Sequence, residues 1–174
     1  MRCIETLPAP VIGGPVCLAL VALMVMPVIA VDQAWPNEAY RVEWEESHVP
    51  EEVAAKSTIA VPMIVKNNGN LVWPASQVFV SYHWFRDGKL VVWDGERTPF
   101  PRDLRAGSRA AMSVRVAIPT EPGSYVLTVS LVHENVTWFE HKGAAMLTKP
   151  VVVRPPTASL DDSISGSAPW IRAQ

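Results

Sequence analysis

From Glu38 to Arg154 apolar and polar residues alternate with a period of two, the pattern of strands that bury one face. Tyr40, Val42 and Trp44 alternate with Arg41, Glu43 and Glu45 and predict a first strand. Val49–Lys56 carries Pro50 and several charges and reads as a loop. Ile59, Val61, Met63 and Val65 predict a second strand. Pro62 in its middle argues for an edge or a bulge, because proline cannot donate to a ladder. Asn67-Asn68-Gly69-Asn70 reads as a turn, since Asn and Gly tolerate positive φ.

The strongest local signal is Val78–Gly95. Two aromatic-rich apolar runs flank Arg86-Asp87-Gly88-Lys89, and Asp-Gly between such runs predicts a tight hairpin. Val78, Val80, Tyr82 and Trp84 fall on one face, with Phe79, Ser81, His83 and Phe85 on the other. Trp84 is placed to fill the middle of a core. After a proline-bearing loop, Met112, Val114, Val116 and Ile118 predict another strand, and Glu121-Pro122-Gly123 a turn. Tyr125, Leu127, Val129 and Leu131 then oppose Val126, Thr128, Ser130 and Val132. Asn135–Lys142 reads as a link, and Ala144–Leu147 with Val151–Val153 as a last strand interrupted at Pro150. About seven short strands with turns between them predict an all-β sandwich or barrel.

One segment breaks this pattern. Val11–Val31 runs without a charge, long enough at about 1.5 Å per residue to cross the ~30 Å hydrocarbon core of a bilayer as a helix. Arg2 before it and Asp32 and Glu38 after it orient the N-terminus inward. Gly13, Gly14 and Ala19 would let such a helix pack closely on others, and Trp35 would sit at the interface. The rival reading is a signal peptide cleaved after Ala30, for which Val28-Ile29-Ala30 is acceptable. The expected organisation is a cytoplasmic N-terminus (1–10), a transmembrane anchor (11–31), a juxtamembrane linker (32–37), the sandwich (38–154) and a flexible tail (155–174) rich in Pro, Ser, Ala and Asp.

Composition narrows the function. A net charge of -2 argues against a nucleic-acid partner, which would need a basic face. The only cysteines, Cys3 and Cys17, precede residue 18, so the β region has no disulfide, thiol nucleophile or cysteine metal site.

The segment Glu121-Pro-Gly-Ser-Tyr125 resembles the turn and tyrosine corner of immunoglobulin-like domains. The resemblance implies an immunoglobulin-like antiparallel β-sandwich over residues 38–154, preceded by one N-terminal transmembrane helix. It also implies that Tyr125 bonds back to the preceding turn and that Trp84 is the core tryptophan of strand C. The family's cysteines are absent, and Leu127 stands where the second would be. The chain is thus similar to disulfide-free Ig-like modules on bacterial membrane and envelope proteins. A sandwich of this kind hosts many roles.

Candidate chemistry is thin. His83 and His133 lie on runs that would neighbour each other as strands C and F, and with Glu134 or Asp87 they form a candidate metal site; two surface histidines are the plainer reading. No serine sits in a nucleophile elbow and no glycine loop could cradle a phosphate. The expected partner-binding residues are Phe100, Arg97 and Arg102 on the stiff loop 94–104, Trp138 and Phe139, of which one must face away from the core, and Trp170 and Ile171 near the C-terminus. The plainer reading of Phe100 is a core cap.

The expected function is a non-catalytic, single-pass protein of the bacterial inner membrane with a periplasmic Ig-like domain. It would be an accessory subunit steadying a larger complex, of which an energy-converting assembly such as a photosynthetic reaction centre is an example by analogy. Its partners would be other membrane-complex subunits and the bilayer, with no cofactor and no small-molecule substrate. Two alternatives stand beside this: a carbohydrate or cell-wall binding module using Trp93, Trp138 and Tyr82 as stacking surfaces, and a metal-dependent enzyme built on His83 and His133.

Overall fold

A computed structural model describes residues 34–156. The expectations placed on the 11–31 span, on Gly13, Gly14 and Ala19, and on Trp170 and Ile171 lie outside the described residues. No helix among the described residues is long and apolar enough to cross a membrane.

A short 3-10 helix, Asn37–Tyr40, leads into β1 (Val42–Ser47), β2 (Glu52–Ala54) and β3 (Thr58–Asn67). There follow β4 (Val78–Arg86), β5 (Lys89–Val92), β6 (Thr98–Pro99), β7 (Arg109–Ala117) and β8 (Gly123–His133). The chain ends in β9 (Thr137–Trp138), a second 3-10 helix, Phe139–Lys142, and β10 (Leu147–Arg154). One sheet has the order β1-β3-β7; the other runs β2-β10-β8-β4-β5, with β6 and β9 pairing β4 and β8 at its margin.

This is an immunoglobulin-like sandwich. β3 and β7 take the places of strands B and E, and β4, β5, β8 and β10 those of C, C′, F and G. The first edge is divided. β1 pairs antiparallel with β3, and the chain then crosses at Pro50 so that β2 pairs parallel with β10. A loop was expected over 49–56. The three-residue β2 was missed because Glu51 and Glu52 mask its period; Val53 is its buried residue.

Two prolines sit inside strands. Pro62 lies in β3, the central strand of its sheet, not on an edge, and the bulge falls in β1 between Trp44 and Glu46. The Pro62 carbonyl accepts the His48 N–H at 3.0 Å, so its nitrogen faces β1 just where β1 runs out at Ser47. Pro150 does not interrupt β10 either; it pairs with Val126. Val152 N–H bonds Glu51 O toward β2, so the Pro150 nitrogen, two residues earlier, points past the end of β2. In both places the missing donor falls where no acceptor waits.

The hairpin forms as its sequence demands. Asp87 and Gly88 have φ of 51° and 71°, the paired positive angles of a two-residue turn that suits strand twist. Trp84, Val80 and Val78 point inward with Leu127, Leu131, Val61 and Val65. Tyr125 Oη donates to Glu121 O at 2.9 Å, the bond of a tyrosine corner. The two sheets are also joined by polar bonds at one edge. Ala117 N–H donates to Tyr82 Oη at 2.8 Å, Trp84 Nε1 donates to Ala117 O at 3.0 Å, and Arg115 N–H donates to Thr98 Oγ1 at 3.1 Å. Side chains of the large sheet thereby cap the backbone of β7.

The end of the sandwich at which Ala34 lies is tied by side chains. Trp73, fully buried, donates through Nε1 to Ala39 O at 2.7 Å and meets Phe139 edge-on. Asn67, also buried, donates to Leu71 O and Leu104 O, each at 2.8 Å, and accepts from Gly69 N–H. Trp35 was expected at a membrane interface. Its ring lies 4.1 Å from His133 and 5.6 Å from Tyr40, so the packed structure reaches back to Trp35.

Gly95 is the tightest test of this packing. A Cβ there would lie 2.6 Å from Tyr82 O and 2.7 Å from the Tyr82 ring. Gly95→Ala is expected to lower unfolding stability by about 1–3 kcal/mol, read by denaturant unfolding of the full chain, with Ala106→Ser at an exposed position as the contrasting variant.

Candidate functional site

On most strands here one face is wet, but β4 is buried on both faces from Ser81 to Trp84. Its outward residues Ser81 and His83 are covered by the 93–98 segment and by the β9–helix segment 137–142. Polar groups placed there need partners, and they find them. Ser81 Oγ donates to Gly95 O at 2.9 Å. His83 Nε2 faces Glu140 Oε1 at 3.1 Å, and its Nδ1 contacts Trp93 O. Both ring nitrogens thus meet oxygen atoms, which fixes the orientation of the ring. Ser130 Oγ donates to the other Glu140 oxygen.

Arg97 fastens the cover. Its Nε donates to Glu134 at 2.9 Å, and its Nη1 donates to Asp94, Ser81 Oγ and Gly95 O. The guanidinium also lies 5.1 Å over the Trp138 ring. Trp93 stacks on His83 at 4.3 Å and lies nearly parallel to His141 at 5.9 Å. Burial works against the charge on Arg97, but its bonds to Glu134 and Asp94 outweigh that and raise its pKa. At Glu140 burial pushes the pKa up; hydrogen bonds from His83, Ser130 and its own backbone more than offset this and hold it below the ordinary value.

The chemistry open to this cluster is limited by its order. The carboxylate sits between Ser130 and His83, so the hydroxyl is spent donating to Glu140 and no imidazole can take its proton. The arrangement is a clamp that holds two segments on a sheet.

Several expected roles are corrected by this geometry. Register places His83 opposite Thr128 and His133 opposite Val78, five residues away, or about 17 Å along the strand. The two histidines also face opposite sides of the sheet, and His133 contacts Tyr40 Oη at 3.3 Å inside. They form no joint metal site; no group of three potential ligands occurs among the described residues. Phe100 is a core residue packed 6.2 Å from Trp73, and Phe139 is fully buried, so neither ring is presented to a partner. Trp138 does face away from the core, but Arg97 covers it. Arg97 is committed to the clamp. Of the three stacking candidates, Tyr82 and Trp138 are buried, while Trp93 stacks on His83 and stays 43% exposed. Of the described partner-binding candidates, Arg102 alone stays exposed.

A second concavity of about 550 Å³ opens between the edges of the two sheets, lined by Tyr82, Val92, Ile118, Glu121, Tyr125 and Arg86. Arg86 lies 5.5 Å over the Tyr125 ring and seals one side of the corner, which makes this cleft part of the fold's edge.

Sequence reasoning missed the apolar face beside the clamp. Leu90, Phe85, Val126 and Pro150 stand in one row across the outer surface of the large sheet. Leu90 is 46% exposed and Val126 37%, and the exposed Trp93 follows β5. The alternation alone marks these positions as outward; only register shows that they align.

No protein-family model matches the chain, and no curated protein matches it. Among solved structures, it is similar to the CARDB domain of a Pyrococcus furiosus protein, at 19% identity over 65% of this chain and 92% of that one, with a TM-score of 0.40. A β-glucosidase from Listeria innocua matches at 13% identity over 68% of this chain and 16% of the enzyme, TM-score 0.45. The α-2-macroglobulin of E. coli matches at 16% over 66% of this chain and 7% of that one, TM-score 0.38. Likenesses of this degree carry no argument about activity.

The clamp has a pH signature. Because the folded pKa of Glu140 lies below its unfolded value of about 4.3, its contribution is complete above that pH and is lost as pH falls through the folded pKa. Glu140→Gln is expected to lower stability at neutral pH by about 1–3 kcal/mol and to flatten the acid limb of a stability-versus-pH curve. Parallel curves for parent and variant below pH 5 would refute the assignment.

Proposed function

We propose that this chain is a non-catalytic binding protein, held at a membrane by its apolar 11–31 segment, whose Ig-like sandwich makes contacts with other proteins. The single observation that supports this reading is the apolar row Leu90–Phe85–Val126–Pro150, with Leu90 and Val126 exposed. Contiguous exposed apolar surface rimmed by polar groups marks an interaction face, whereas single exposed apolar residues do not. β5 is also the edge of its sheet, so a partner can meet both face and edge.

The clamp supports the non-catalytic part of the reading, since its serine, carboxylate and imidazole are turned on one another. The role that suits such a module is an accessory subunit that steadies a larger assembly of the bacterial inner membrane, with the sandwich on the periplasmic side.

The test is a native-size analysis of mild-detergent membrane extracts, with co-migrating proteins identified by mass spectrometry. The full chain is expected to migrate with a larger assembly. The double variant Leu90→Glu, Val126→Glu is expected to migrate as a small folded species. A parent chain that already migrates alone and starts near Val31 would overturn the reading.

A further inference from the structure

Eight arginines lie in the described region, and five of them have carboxylate partners. Arg86 is near Asp87, Arg97 bonds Asp94 and Glu134, and Arg109, Arg115 and Arg154 pair with Glu45, Glu96 and Glu52. The other three are Arg41, Arg102 and Arg105, all exposed and without an ion-pair partner among the described residues. They are not scattered. Arg41 precedes β1, and its carbonyl accepts Asn68 N–H. Arg102 and Arg105 flank Leu104, which pairs with Trp73 next to exposed Val72. All three therefore sit at one end of the sandwich.

That end has a second property. Arg102, Arg105, Val72, Asp103 and Ser108 line a recess of about 690 Å³. The one carboxylate in it, Asp103, is turned onto the Ala75 N–H at 2.9 Å. Leu71 and Val72, 36% and 46% exposed, form an apolar tip beside the two guanidiniums. Asn67 holds this tip rigid from below through Leu71 O and Leu104 O. Glu38 is the exposed countercharge nearby in the chain, on the first 3-10 helix. The same end carries Ala34, and in the sequence the apolar run ends at Val31, three residues earlier.

Unpaired guanidiniums beside a small apolar tip match the chemistry of a membrane surface. Anionic headgroups take the charge, and the boundary of the acyl chains takes the aliphatic side chains. We infer that this end of the sandwich is a lipid-contacting surface, in which Arg102 and Arg105 bind anionic headgroups and Leu71 and Val72 rest in the interface. The inference rests on the membrane-held reading above and adds an orientation: the apolar row of the large sheet is then left lateral, free for protein partners.

The experiment reconstitutes the full chain into nanodiscs of phosphatidylcholine alone or with phosphatidylglycerol, and follows amide hydrogen exchange in peptides covering 68–76 and 101–108. Anionic discs are expected to slow exchange in both peptides by about fivefold or more relative to neutral discs, and Arg102→Gln, Arg105→Gln to abolish the difference. These arginines donate no side-chain hydrogen bond among the described residues, so the variant keeps the fold. Equal exchange in the two discs, or protection that survives in the variant, would overturn the inference while leaving the membrane-held reading intact. Protection reproduced in neutral discs by inorganic phosphate would replace a lipid surface with a free-anion site. A chain that fails to incorporate in either disc would overturn both.

Discussion

Everything on the outer side of the large sheet follows from the need to satisfy polar groups on β4. A strand buried on both faces normally presents apolar residues on both. Here the outward face carries Ser81 and His83, and leaving them unpartnered would cost about 1–3 kcal/mol each. The chain answers by folding two segments over them, and Gly95 O, Trp93 O and Glu140 become their partners. Arg97 then joins the two covers through Asp94 and Glu134. A buried hydrogen-bonded polar pair is weak as a source of stability but strong as a specification, because removing either member leaves the other unpartnered. The clamp thus decides where the 93–98 and 137–142 segments lie.

The same economy governs the edges. β7 would expose a row of backbone groups, but Tyr82, Trp84 and Thr98 spend their polar atoms on Ala117 and Arg115. These residues therefore do two jobs: their rings or methyls pack, and their heteroatoms close an edge against unwanted pairing. On the opposite side β1 and β2 divide one edge between the sheets, and Pro62 and Pro150 fall where each of these short strands ends. Among the described residues, two surfaces stand out: the apolar row near β5, and Arg102 and Arg105, which have no ion-pair partner there, beside Leu71 and Val72. The two surfaces differ in chemistry, and the two proposals assign each to the partner its chemistry suits, a protein face for the first and an anionic lipid surface for the second.

Much of the fold was legible. The period of two located β3, β4, β7 and β8, Asp87-Gly88 announced its hairpin, and Glu121–Tyr125 announced the corner. Where the reading failed, a local rule met a longer-range one. Pro62 predicts an edge or bulge and Pro150 an interruption because a proline is judged by its own strand, whereas its effect depends on how far the neighbouring strand extends. Alternation forces one of two adjacent rings outward; Phe139 turns inward and Trp138 outward, as the rule demands, yet the core buries the first and the Arg97 cover the second. His83 and His133 were paired because strands C and F are neighbours, but neighbouring strands say nothing about register, and here register puts them on opposite faces.

By itself the sequence determined which residues prefer strands, where two turns must bend and that Trp84 is placed to fill a core, while the Ig-like corner at Tyr125 was implied by resemblance alone. These are properties of short windows, set by side-chain periodicity and by the backbone angles that Asp, Gly and Pro allow. Only the tertiary structure decided that Ser130, Glu140 and His83 meet, that Leu90 and Val126 align, and that Arg102 and Arg105 stay unpaired while Arg97 does not. Those facts depend on register and on which loops fold over which face, and both are fixed by contacts between residues tens of positions apart.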